Sequence, residues 1–98
     1  KSIIIGTMME RVVMKIIMYS ASWCAPCKFA KKLLNDLNLS YEEIDIEKNN
    51  ISREQLLEMT GGYTVPQIQI NEKYIGGYSE LMQLNQSGKL KEIISNGN

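Results

Sequence analysis

The stretch Met18-Tyr19-Ser20-Ala21-Ser22-Trp23-Cys24-Ala25-Pro26-Cys27-Lys28-Phe29-Ala30 decides the fold, because one kind of backbone periodicity ends inside it and another begins. Upstream, Val12 to Tyr19 is nearly all apolar and rich in β-branched residues, which predicts a strand buried on both faces of a sheet. Downstream, Phe29, Ala30, Leu33, Leu34 and Leu37 fall on one stripe at helical spacing. Lys28, Lys31, Lys32, Asn35 and Asp36 take the other side, and Asn38 is a suitable helix end. The two cysteines, the only ones in the chain, therefore sit where a strand hands over to a helix.

That position carries chemistry. A helix start presents unpaired N–H groups and the positive end of the helix dipole, and both favour a thiolate over a thiol. Cys24 precedes the helix proper, so its sulfur is expected to be exposed and to act as the nucleophile. Cys27, about one turn on, is expected to be more shielded yet close enough to bridge back. Pro26 suits a first helical turn, where its missing N–H costs nothing. Trp23 offers either a flat apolar surface for a substrate beside Cys24 or a residue packed at the domain edge. Lys28 either adds charge near the site or is an ordinary exposed helix lysine. A C-x-x-C pair can also be half a zinc site, but zinc wants four N or S ligands, and the sequence has no histidine and no third cysteine. No metal is expected.

Working outward, Tyr41 to Ile46 reads as a second strand, with Ile44 and Ile46 alternating with Glu43 and Asp45. Ser52 and Gln55 form a capping box for a short helix whose buried side is expected to be Leu56, Leu57 and Met59, ended by Gly61-Gly62. Gln67 to Ile70 and the residues around Tyr74-Ile75, joined by Asn71-Glu72-Lys73, read as a hairpin. Ser79 is expected to cap a last helix carrying Leu81, Met82 and Leu84, stopped by Gly88, with Leu90, Ile93 and Ile94 adding a final turn. The order β-α-β-α-β-β-α gives an α/β fold: a parallel pair, an antiparallel hairpin, and a mixed four-stranded sheet flanked by helices.

Composition narrows the function from the other side. The 98 residues carry 11 Lys plus Arg and 11 Asp plus Glu, so no net charge draws the chain to nucleic acid or to anionic lipid. The cluster Lys28, Lys31, Lys32 and the acidic run Glu42, Glu43, Asp45, Glu47 read as solvated faces. No apolar stretch approaches the roughly 20 residues that span a bilayer. Ile3-Ile4-Ile5 is too short and wrongly flanked for a secretory signal. Cysteine usage of this kind suggests redox chemistry in a reducing compartment, and the cytoplasm is expected. The chain opens on Lys1, with Met8, Met9 and Met14 each a possible start, so residues 1–7 are expected to be a cloning remnant or an N-terminal extension.

Three motifs, in order and on matching elements from about Lys15 to Leu90, make the chain resemble the glutaredoxins. Thr64-Val65-Pro66 matches their Thr-Val-Pro signature, and Gly76-Gly77-Tyr78-Ser79-Glu80 is similar to the Gly-Gly segment that follows it by about ten residues. Trp23-Cys24-Ala25-Pro26-Cys27 resembles instead the active site of thioredoxins. The resemblance implies a thioredoxin-like fold, a domain over residues 8–98, and a monomer that reduces protein or small-molecule disulfides through a Cys24–Cys27 dithiol/disulfide cycle. It implies a cis Val65–Pro66 bond, leaving an edge at Val65 with which an extended disulfide substrate could pair. A turn proline entering a strand is the rival reading of Pro66. It also implies glutathione as co-substrate, with Trp23, Pro26, Thr64, Val65, Pro66, Gly77, Tyr78, Ser79 and Glu80 around it and the γ-glutamyl carboxylate at the helix start.

Departures from the family pattern shape the expectation. Ala21 stands where many glutaredoxins have a lysine, Ala25-Pro26 where many have Pro-Tyr, and Ser79 where many have an aspartate. Met18 stands where thioredoxins bury an aspartate. Each lost charged contact is worth about 1 to 3 kcal/mol, so weakened glutathione capture is expected. Two alternatives follow: a redoxin regenerated by a flavin-dependent thioredoxin reductase, or a dimeric iron–sulfur binding module using Cys24 with external glutathione. A redox-dead interaction domain does not fit, because both cysteines are present.

Overall fold

Alternation along the first strand assigns the two faces of the sheet. In β1 (Ile16–Ser20), Ile16 and Met18 pack on one side against Ala30, Leu34, Ile68, Ile70, Leu81 and Leu90. Ile17 and Tyr19 face the other side, with Ala21, Cys24, Cys27, Ile46 and Leu56. The computed structural model describes residues 15–96, so Val12 to Met14 and residues 1–7 lie outside the described residues.

After β1 come α1 (Ala25–Asp36), β2 (Glu42–Asp45), α2 (Arg53–Thr60), β3 (Gln67–Ile70), β4 (Lys73–Gly76), α3 (Tyr78–Ser87) and α4 (Lys89–Asn96). The sheet order is β2-β1-β3-β4. β1 runs parallel to β2, with Tyr19 opposite Ile44, and antiparallel to β3, with Met18 opposite Ile68. β3 and β4 form the expected hairpin. Helices α1, α3 and α4 supply residues to one core cluster, and α2 with Cys27 of α1 to the other, so the mixed sheet is covered on both faces. Among the described residues no helix is long and apolar enough to cross a membrane.

The helices bury narrower stripes than the sequence suggests. In α1 the buried line is Cys27, Ala30 and Leu34, at i, i+3, i+7. Phe29 is 56% exposed and packs instead on Tyr78, with ring centroids 5.9 Å apart. Leu37 is the C-cap rather than part of the stripe, and the chain leaves through Asn38 at φ 59°, a left-handed position that asparagine tolerates. In α2 only Leu56 is buried. Leu57 and Met59 are exposed because this eight-residue helix meets the core through Leu56 alone. The Ser52–Gln55 capping box is present in both directions, at 3.1 Å and 2.8 Å.

At the C-terminal end the expected last turn is a separate eight-residue helix, α4, which buries Leu90 against the core. The side chain of Ile94 lies outside the described residues. Ser79 does not cap α3. Gly77 does, and Ser79 lies inside the first turn.

Candidate active site

The first turn of α1 is built around a sulfur. Cys24 is the N-cap, and its Sγ accepts the Cys27 backbone N–H at 3.1 Å, where a serine or aspartate oxygen commonly sits. Cys24 and Cys27 are joined as a disulfide, with Cα atoms 5.2 Å apart. On reduction the same N–H and the helix terminus face a developing thiolate.

The expectation of an exposed Cys24 above a shielded Cys27 needs correction, since both are buried, at 3% and 0% exposure. Cys24 packs with Tyr19, Ala21, Ile46 and Leu56, and its Sγ lies 3.4 Å from the Val65 carbonyl oxygen. It still differs from Cys27 in one respect: it lines an open cleft of about 390 Å³ with Trp23, Ala25, Pro26, Arg53, Thr64 and Val65.

Val65–Pro66 is cis, and Pro66 is buried. A second cleft, about 620 Å³, runs from Pro26, Thr64, Val65 and Pro66 to Gly77, Tyr78, Ser79 and Glu80. The two clefts meet at Pro26, Thr64 and Val65, and every residue expected around glutathione lines one or the other, whereas Cys27, Lys28 and Ala21 line neither. Close approach needs the glycines. A Cβ on Gly77 would come within 3.2 Å of the Pro66 carbonyl oxygen, and Gly76, at φ +111°, would place one against the Glu80 carboxylate. Glu80 reaches back to accept the Gly77 N–H at 2.8 Å, and Tyr78 and Ser79 follow in the first turn, where a helix has no intrahelical acceptor for the N–H groups.

Two features, Arg53 and Gln67, are not visible in the motifs. Arg53, just after the Ser52 cap, places a cation on the Cys24 cleft and donates from Nη1 to the Tyr63 carbonyl at 3.2 Å. Its signal was its place at a recognisable helix start; nothing local pointed it at the cysteines. Gln67, buried at the start of β3, donates from Nε2 to the Thr64 carbonyl at 2.9 Å and so props the cleft wall. Ala21, the position where a lysine might have stood, is 3% exposed in the cluster around the disulfide. A lysine there would have to leave the core to reach a ligand.

Tyr19, behind the disulfide, has its phenol pushed up to about 12 by burial first and then by its hydrogen bond to Tyr74. It stays neutral at physiological pH. At the far edge of the sheet the basic and acidic clusters are not merely solvated: Lys31 Nζ and Ser20 Oγ both donate to Glu43 Oε2 at 2.6 Å. Burial opposes the Glu43 charge, but these bonds and the lysine outweigh it and hold the carboxyl below its ordinary value. Among the described residues no three His, Cys, Asp or Glu side chains gather to hold a metal ion.

Comparison with known proteins follows the same outline. A family model described as Glutaredoxin matches residues 16–75. The glutaredoxin of Pseudomonas aeruginosa is 35% identical over 80 residues, covering 82% of this chain and 95% of that protein. The mitochondrial glutaredoxin-2 of Pongo abelii is 35% identical over 82 residues, 81% of this chain but 51% of that protein, so the chain spans about half the length of such relatives. In structure, a buckwheat glutaredoxin solved as a glutathione complex superposes with a TM-score of 0.77 at 28% identity, over 94% of this chain and 87% of that one. The oxidized glutaredoxin 2 of Chlamydomonas reinhardtii gives 0.74 at 28% identity, over 95% and 92%.

Proposed function

The chain belongs to the glutaredoxin family, and from that premise we propose that it is a dithiol thiol–disulfide oxidoreductase reducing protein or small-molecule disulfides. The observation that carries the reading is the Cys24–Cys27 disulfide at the first turn of α1, with Cys24 alone of the pair lining the cleft it shares with Thr64 and Val65. In the reduced protein the Cys24 thiolate attacks one sulfur of a substrate R–S–S–R′. R′–S⁻ leaves and a Cys24–S–S–R mixed disulfide forms. The Cys27 thiolate then attacks the Cys24 sulfur, R–S⁻ leaves, and the Cys24–Cys27 disulfide remains. The protein loses two electrons and the substrate gains them, with protons taken from solvent.

Glutathione is the proposed co-substrate, as a glutathione complex of a similar fold supports. Its γ-glutamyl carboxylate would take the Tyr78 and Ser79 N–H groups at the start of α3, with the Glu80 carboxylate beside it for the ammonium group. Thr64 and Val65 would hold the backbone of the tripeptide. Arg53 would supply the cation for its other carboxylate, the part a lysine at position 21 would have played. Gly77 and Pro66 keep that cleft open, and Pro26 and Trp23 flank the sulfur.

One observation favours a second donor. Trp23-Cys24-Ala25-Pro26-Cys27 is a thioredoxin-like sequence, and the family lysine is replaced by a buried Ala21. A flavin-dependent thioredoxin reductase would then reduce the Cys24–Cys27 disulfide directly and regenerate the dithiol. The protein is taken to work as a monomer in a reducing compartment, the cytoplasm by its cysteine usage. The test supplies the oxidised protein with NADPH and either glutathione plus glutathione reductase or thioredoxin reductase, in the presence of a disulfide substrate. NADPH consumption with glutathione is the expected outcome. Consumption only with thioredoxin reductase would reassign the donor, and consumption with neither would overturn the enzymatic reading.

A further inference from the structure

Trp23 is 57% exposed, yet its indole is not free: Nε1 donates to Glu47 Oε2 at 2.8 Å across 24 residues of sequence. An exposed side chain without such a partner changes rotamer within nanoseconds, whereas a bond to a charged acceptor at this distance favours one orientation. Glu47 is itself held. The Asp45 carboxylate accepts the N–H groups of Glu47 at 2.9 Å and Lys48 at 3.1 Å, and Asn49 Nδ2 donates to the Asp45 carbonyl at 2.8 Å. The Ile46 N–H, next along the chain, donates to the Ser20 carbonyl at 2.9 Å, tying this turn to the end of β1. A continuous set of bonds thus runs from the sheet through the turn to an indole on the wall of the cleft that holds Cys24.

We propose that Glu47 is a positioning residue that fixes the Trp23 indole as a rigid wall beside Cys24, and that this wall selects polypeptide disulfides over small ones. A small disulfide needs only the sulfur and the Val65 edge. A polypeptide extends beyond its cysteine and must lay a flanking residue on whatever borders the cleft. A fixed aromatic surface then contributes contact area without losing rotamer entropy at the moment of binding. The inference rests on the oxidoreductase reading and deepens it by naming a substrate class.

Trp23 is the only tryptophan in the chain, so its fluorescence reports the wall directly. Glu47→Ala removes the acceptor, and Glu47→Gln keeps one at the same length. In the Ala variant the indole should gain fast depolarisation. Its kcat/KM for a disulfide-bonded polypeptide, insulin, should fall about 3- to 10-fold, mostly through KM, as expected for one lost hydrogen bond. Its kcat/KM for hydroxyethyl disulfide should stay within about 2-fold, and the Gln variant should resemble the wild type in all three. Unchanged depolarisation in the Ala variant, or an equal fall on both substrates, would overturn the inference while leaving the activity standing. A wild type inactive on both disulfides would overturn the oxidoreductase reading and the selectivity with it, while the depolarisation would still decide whether Glu47 holds the indole.

Discussion

At the scale of single residues, Arg53 is the cation proposed to meet a glutathione carboxylate. It stands on the cleft that Cys24 lines, and it is exposed, so its attraction for a carboxylate is modest and screened by salt. Arg53→Ala should raise the apparent KM for glutathione about 2- to 5-fold at low ionic strength, with kcat little changed, and the difference should shrink as salt rises. Initial rates at two ionic strengths check this; an unchanged KM at low salt would remove Arg53 from the site. Cys24 and Cys27 were legible because their chemistry is local: three residues and one helix start contain it. Arg53 and Glu47 were not, because each acts on the site through a contact made far along the chain, and neither belongs to a spaced motif. The burial of Cys24 is hidden from the sequence for the same reason, since Val65 and Leu56 cover it from other segments.

At the scale of elements, the Glu43–Lys31–Ser20 cluster joins the edge strand β2 to α1 and to β1. The Glu43 carboxyl titrates lower in the folded chain than its ordinary value of 4.5. Its ionised form therefore stabilises the fold above that value, and the contribution is lost as pH falls below 4.5 through the folded-state value. The group is partly exposed, so the effect is below about 1 kcal/mol. Glu43→Gln should lower stability at pH 7 by that amount and lose less than the wild type on acidification. Urea unfolding at pH 7 and below 4.5 measures both, and parallel losses would show the cluster to be idle. Strands and the Ser52 cap were readable from alternation and spacing. The buried stripes of α1 and α2 are narrower than their periodicity suggests, because helical spacing names a face without saying how much of it a partner covers. Phe29, Leu57 and Met59 follow the pattern and remain exposed.

At the scale of the molecule, the topology was legible because a β-α-β unit followed by a hairpin leaves few ways to assemble four strands. The meeting of the two clefts was not, since it draws residues 23–26, 53, 64–66 and 77–80 from four segments and depends on how closely Gly77 approaches Pro66. That convergence underlies the proposal that Cys24 attacks while glutathione lies in the adjoining cleft. The direct test is the Cys27→Ser protein, in which Cys24 is the only thiol, mixed with glutathione disulfide at neutral pH and weighed intact by mass spectrometry. The account predicts rapid gain of one glutathionyl group with release of one glutathione, because the mixed disulfide has no resolving thiol. A folded variant that stays unmodified in excess glutathione disulfide would contradict it.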